Sequence, residues 1–329
     1  MEDRRDIPFG VIARQWVAQR VVPFLGASAS VAGMDEGCKA ILDARGFAAM
    51  LIREAAYPGD SSDPLTKVAQ YTEDRAAGRF GLLEYVSREF NEVLDDPGSG
   101  ITLPYRCALT RFLETIPMTL PQLVLTTNYD TIIERTLDQP AFREQGVRYV
   151  AVSHVIRGNQ EFGQLLCYDS LDGDPLKLIP SEFDASLLPG GRYADHVVIY
   201  KMHGTSRHTG TPGSDDSIVL TETDYVNFMA DDLLGRIPET IISKLRSSHL
   251  LFLGYSLEDW NFRVFLQRLR KLDLQSPQRP HWACRLFDEN SRSGQVEKMF
   301  WEKRNVILYN LDLSVFLDAL GLFIVGRTR

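Results

Sequence analysis

Residues 249–261 read His-Leu-Leu-Phe-Leu-Gly-Tyr-Ser-Leu-Glu-Asp-Trp-Asn, an apolar run that stops at Gly254 and Ser256 and passes into a helical pattern. A short run without polar alternation predicts a strand buried on both faces, as in a parallel sheet. Three other segments repeat the design: Phe24-Leu-Gly-Ala-Ser-Ala-Ser30, Thr126-Thr-Asn-Tyr-Asp130 and Lys201-Met-His-Gly204. Each follows a strand-like run and presents small or polar residues where the run stops. In an open parallel sheet the carboxyl ends of the strands share one edge, and ligands bind there. Four segments remote in sequence therefore converge on one crevice that holds an Asn, a His and a Gly-containing turn.

Outward from these islands, strands are expected at 20–26, 122–126, 148–153, 196–200, 218–221, 249–253, 281–287 and 305–309. Helices are expected at 222–229, 237–245, 258–272 and 295–303, with a last one through Leu320. Such alternation implies right-handed crossovers and a Rossmann-like, doubly wound α/β sheet, mostly parallel. Apolar residues at three- and four-residue steps from Ala40 to Ile52, then helical patterns at 65–77, 79–94 and 104–114, predict a helical insertion at about 39–120. It would cover one side of the carboxyl edge. Residues 138–194, rich in Gly, Pro and Asp, are expected to be a loop-rich insertion, and 208–216 a flexible loop.

The chain has 329 residues, 44% of them hydrophobic and 24% charged, which suits a soluble globular protein with a large core. A net charge of -8 argues against a direct nucleic-acid role, because phosphate binding needs clustered Lys and Arg. The four cysteines, Cys38, Cys107, Cys167 and Cys284, form no C-x-x-C pair, so reduced thiols are expected and no metal site. Nothing has the length of a signal peptide or approaches the ~18 apolar residues of a membrane span. A cytoplasmic protein with no membrane partner is expected.

The chemistry lies at the strand ends. Gly26 permits a tight turn, and Ala27 and Ala29 keep the approach open, so backbone N–H groups could meet an anion; a purely structural turn reads equally well. Asn and Asp suit strands poorly, so Asn128 and Asp130 need a reason at the end of one. Either caps the next helix, a role that suits Asp130 more than Asn128, or both face a ligand beside Thr127. His203 alone among six histidines stands between a buried strand and a Gly. It is either a satisfied core histidine or a general base. Gly254 and Ser256 either shape a helix start or let a ribose or phosphate pack on the turn.

In their order along the chain, Gly26-Ala-x-x-Ser30, Thr126-Thr-Asn128-x-Asp130, Lys-x-His203-Gly and Gly254-x-Ser256 resemble the sirtuin family. The versions Thr-Thr-Asn-Tyr-Asp and Phe-Leu-Gly-Tyr-Ser-x-x-Asp-x-Asn look most like its prokaryotic antiphage-defence branch, as do Thr221-Glu-Thr-Asp-Tyr225 and residues 281–320. The similarity spans roughly residues 18 to 320, and the ordered set of short motifs is what makes it specific. Three departures stand out: Ser28 replaces a second Gly, the zinc-binding module of protein-deacylating sirtuins is missing, and Met34-Asp-Glu stands where deacylases carry Phe-Arg.

The resemblance implies one catalytic domain over 1–329 that cleaves NAD, its substrate, to nicotinamide and ADP-ribose, and that defends by depleting NAD. Asn128 would hold water or ribose hydroxyls, His203 would accept a proton, and Asp130 would bind the carboxamide or offset developing charge. Gly26, Ala27, Ser30, Thr127, Gly254 and Ser256 would line the phosphate and ribose positions. Two alternatives stay open: a non-catalytic subunit that binds NAD or ADP-ribose, and an NAD-dependent protein deacylase. An unregulated NADase would kill its own cell. One unit uses up the chain, so a partner protein or a homo-oligomer is expected to gate the activity, with 39–120 and 208–216 as contact surfaces or lids.

Overall fold

The chain enters on α1 (Phe9–Val17), which buries Phe9, Ile12, Ala13 and Trp16 at three- and four-residue steps. This helix is not among the expected elements. The next element, β1 (Val21–Leu25), is buried at all five positions. Val21 and Leu25 face one core and Val22 and Phe24 the other, as a strand covered on both sides requires. The computed structural model describes residues 7–34, 41–94, 105–156, 163–171, 174–207, 216–230, 236–255 and 279–328. The helix expected at 258–272, the loop at 208–215 and Ser256 lie outside the described residues.

A 3-10 turn (Ala27–Ser30) ends β1, and a helical block follows. It comprises α2 (Ala44–Glu54), α3 (Leu65–Tyr71), a π-turn (Thr72–Ala77), α4 (Gly78–Phe90) and α5 (Ala108–Thr115). No strand occurs in it among the described residues. Asp43 caps α2 by accepting from Gly46 N at 2.7 Å, a contact of a kind worth ~1 kcal/mol. Then come β2 (Leu123–Thr126), α6 (Ile132–Leu137), α7 (Pro140–Arg143), β3 (Tyr149–His154), β4 (Leu165–Asp169), β5 (Leu176–Leu178) and α8 (Pro180–Ser186). The described residues of 138–194 thus hold three strands and two helices, more regular structure than their loop-like composition suggests. The chain continues with β6 (Val197–Lys201), α9 (Glu222–Ala230), α10 (Glu239–Ser247), β7 (His249–Leu253), β8 (His281–Arg285), α11 (Arg292–Glu302), β9 (Val306–Asn310) and α12 (Leu313–Thr328).

The nine strands form one sheet in the order β5-β4-β3-β6-β2-β1-β7-β8-β9. All pairings are parallel except β3–β4 and β4–β5, which add an antiparallel edge. The fold is a Rossmann-like α/β sheet. From β1 the chain builds outward to β2, β3 and β6, then returns to the other flank with β7, β8 and β9. Such a reversal opens a crevice at the carboxyl edge.

Two expectations need correction. Residues 218–221 are fully buried but form no strand, because among the described residues their one backbone ladder contact is Val219 N donating to His203 O at 3.0 Å. Burial made them apolar, not sheet pairing. The last helix runs to Thr328 instead of stopping at Leu320. Ile324 is fully buried, and Gly321 packs flat on Phe112 and Thr115 of α5, so the helix keeps its partner past the expected end.

Candidate functional site

A cavity of about 1080 Å³ opens along the carboxyl ends of β6, β2, β1, β7 and β8. Four inter-strand steps separate β6 from β8, so the row of strand ends spans roughly 19 Å at ~4.8 Å per step. Gly26, Ala27, Thr127, Asn128, Asp130, His203 and Gly254 all line it, so the four sequence islands meet as expected. Across from the sheet, the cavity is walled by Ile41, Leu42, Pro64, Leu65 and Phe90 of the helical block and by Glu222, Tyr225 and Val226 of α9. Asp43, Arg45 and Arg285 add charge to its rim.

The ends of β1 and β7 touch backbone to backbone. A Cβ on Gly26 would lie 2.6 Å from Gly254 O, and one on Gly254 would lie 2.4 Å from Ala29 N. Gly26 has φ -102°, which any residue can adopt, so it is needed for this close approach and not for turning. Gly254 needs both, since its φ is +64°. The turn was expected to offer its amides to an anion as a helix N-terminus does. Instead Ser28 N donates to Gly254 O at 3.2 Å and Ala29 N to Gly26 O at 2.9 Å, and only a four-residue 3-10 turn follows. Those two amides are committed to the protein.

Asn128 is held from behind. Its Nδ2 donates to Gly26 O at 3.0 Å and to Ser30 Oγ at 2.9 Å, while its backbone N–H donates to Thr126 Oγ1 at 3.0 Å. A carbonyl oxygen only accepts, so the amide nitrogen must face Gly26 and the flip is settled by chemistry. The Oδ1 atom is turned away from that bond and has no donor among the described residues. Ser30, buried at 2% exposure, stands behind the cavity wall and not on it. It passes the contact on, donating from Oγ to Asp130 Oδ2 at 2.8 Å. Asp130 Oδ1 accepts from Ile132 N at 3.1 Å, a two-residue turn just ahead of α6, whose N-cap residue is Thr131, so neither Asp130 nor Asn128 is the N-cap. Beneath them Lys201, also buried, donates from Nζ to Asp130 O and lies 3.2 Å from Glu134 Oε1. Lys201 and Glu134 pair as buried opposite charges, while the Asp130 carboxylate is held by neutral donors.

His203 is 4% exposed, and its ring meets Tyr225 and Phe228 edge-on at centroid distances of 5.4 and 5.9 Å. The following Gly204 has φ +89°, and a Cβ there would lie 2.0 Å from Ser217 O, so His203 is followed by Gly of necessity. Tyr255, Tyr225, Arg45 and Arg285 were not among the expected site residues. Arg285 ends β8 as Gly254 follows β7, but the strand expected at 281–287 runs two residues too far and hides that position. Its Nη1 lies 2.9 Å from Glu297 Oε1, which orients the guanidinium at the cavity's far end. Among the described residues no cluster of His, Cys, Asp and Glu is able to hold a metal ion, and no helix is long and apolar enough to cross a membrane.

The chain was compared with known proteins. A family model described as a SIR2-like domain matches residues 122–309, more than half of the chain. The chain is 25% identical over 252 residues to a protein named NAD(+) hydrolase ThsA from Enterococcus faecium, covering 76% of this chain and 40% of that protein. It is 31% identical over 109 residues to one named Defense-associated sirtuin 2 from Bacillus subtilis, covering 33% of this chain and 10% of that protein. The chain therefore spans less than half the length of either relative.

Proposed function

The chain belongs to the SIR2-like family, and from that premise we propose that it hydrolyses NAD to nicotinamide and ADP-ribose. The observation that carries the reading is the shared cavity: Asn128, Asp130 and His203 line one space at the rim of the sheet. A row of strand ends roughly 19 Å long suits an extended dinucleotide. The relative named as an NAD(+) hydrolase adds support.

Breaking the bond between ribose C1′ and the nicotinamide nitrogen releases neutral nicotinamide and leaves an oxocarbenium-like sugar. Water then adds at C1′ and loses a proton. Asn128 suits the placing of that water or of the ribose hydroxyls, because its Oδ1 is aimed by the bond behind it. His203 is the base that takes the proton. The Asp130 carboxylate, pinned by Ser30 and Ile132 N, is the group assigned to offset the developing positive charge. Gly26, Ala27, Thr127 and Gly254 leave room for the phosphates and riboses. A defence role is proposed from the name of the second relative, and NAD depletion as its means from the name of the first. A partner protein or a homo-oligomer that gates the activity belongs to the same proposal.

The test is nicotinamide release from NAD by wild type, Asn128→Ala and His203→Ala. Each substitution should lower turnover on the order of 100-fold, the usual scale for a positioned donor or base. Equal turnover by all three proteins removes these residues from the mechanism. A second reading, binding of NAD or ADP-ribose without cleavage, is favoured by the burial of His203 between two aromatic rings. Tight NAD binding with no release of nicotinamide would establish it.

A further inference from the structure

Arg79 is the second residue of α4 and lies outside the cavity wall, yet it makes five hydrogen bonds, one for each of its N–H donors. Nε and Nη2 grip both oxygens of Asp216 at 2.6 and 2.9 Å. Nη1 reaches Asp224 Oδ2 at 2.9 Å and Glu73 Oε2 at 3.2 Å, and Nη2 also reaches Ile218 O at 2.6 Å. The local chain explains how Arg79 comes to be there. A π-turn precedes it, and Gly78, at φ +67° and ψ 178°, breaks the helix so that Glu73 and Arg79 turn to one side. Burial works to lower the proton affinity of the guanidinium, but Asp216, Asp224 and Glu73 more than offset it, so Arg79 stays charged.

Residues 216–228, which Arg79 holds, hold His203 in turn. Val219 N donates to His203 O at 3.0 Å, the Ser217 carbonyl presses on Gly204, and Tyr225 and Phe228 flank the imidazole. Asp224, next to Tyr225, also accepts from Leu220 N and Thr221 N, which locks the start of α9. Every contact named here on His203 therefore comes from a segment that Arg79 fixes at three points, Asp216, Ile218 and Asp224.

We propose that Arg79 is a positioning residue for His203: from the helical block it sets the imidazole against the cavity and so governs turnover more than substrate affinity. The kinetic half of this statement rests on the NAD-hydrolase reading. The structural half does not.

The deciding variant is Arg79→Lys, which keeps the charge but loses the fork that spans Asp216, Ile218 and Asp224. Diethyl pyrocarbonate is the first probe, with the modified histidines located by mass spectrometry. His203 should react several-fold faster in the variant, while His196, buried at the far end of β6, should not change. In the second assay, nicotinamide release, kcat should fall at least tenfold with KM within threefold. The same substitution placed on His203→Ala should cost nothing further. Unchanged reactivity of His203 in folded Arg79→Lys overturns the inference, as does a kcat loss that adds in full to that of His203→Ala. If wild type releases no nicotinamide, the NAD reading fails and the chemical modification alone decides. Should Arg79→Lys not fold, Asp216→Asn, which removes one end of the grip, must show the same selective rise at His203 or the inference is lost.

Discussion

The rim of the sheet and the wall facing it are held by opposite chemistries. At the rim, Gly26 and Gly254 bring two backbones into contact, and the bonds between them are neutral amide to carbonyl. Behind the wall, one guanidinium ties the helical block to residues 216–224 through the carboxylates of Asp216 and Asp224, with Glu73 of its own block as a third partner. The rim has no room for one added carbon, whereas the wall depends on a forked cation reaching several acceptors at once. Size breaks the first and loss of the fork breaks the second.

The sharpest way to break the rim is Gly254→Ala. The new Cβ would sit 2.4 Å from Ala29 N on a backbone at φ +64°, and strain and overlap together should cost more than ~3 kcal/mol by urea unfolding. A loss below ~1 kcal/mol would mean that the two strand ends have slack. Next in size is a pH effect on the wall side. His154 ends β3 beside Asp224 and Arg236, and burial, with a smaller contribution from Arg236, pulls its imidazole down from 6.5 to about 4. Below pH 6.5 the unfolded chain binds a proton that the folded one refuses. Stability is thus complete above that pH and lost progressively as it drops toward 4, by ~3 kcal/mol in all. His154→Phe should flatten this slope, and an unchanged slope would assign it to other groups. The smallest change is Gly78→Ala. The backbone there has a positive φ as at Gly254, and at ψ 178° it lies in a region that Gly alone adopts readily, but a Cβ meets nothing within 4 Å. Only conformational strain remains, ~2 kcal/mol. The gap between the two glycine variants measures how tightly the rim is packed.

Legibility in the sequence follows the same division. The rim declares itself locally: an apolar run that stops at Gly26, Asn128, His203 or Gly254 is visible in any ten-residue window. The convergence of the four islands then follows from the geometry of a parallel sheet. Asp130 reads as a helix cap on local grounds, but it stands one residue ahead of the N-cap, Thr131, and reaches only the first helical amide. The wall is silent in sequence. Arg79 lies 137 residues from Asp216 and 145 from Asp224, and nothing near any of the three hints at the others. Residues 218–221 mislead for a related reason, because burial against His203 produces the same apolar run as a strand. β5 hides among turn residues because it lies exposed at the sheet edge, where pairing asks less of side chains, and β4, buried and paired on both sides, is masked by the short turn-rich stretches around it.

The place of β1 in the sheet has a practical corollary. The SIR2-like match begins at residue 122, yet β1 (Val21–Leu25) lies between β2 and β7 and pairs with both. A polypeptide trimmed to 122–309 would lack its middle plank. Two inner strands would be left with bare amides and carbonyls side by side, an invitation to self-association. The span that matches the family is therefore shorter than the unit able to fold alone, and expression trials should begin upstream of Val21.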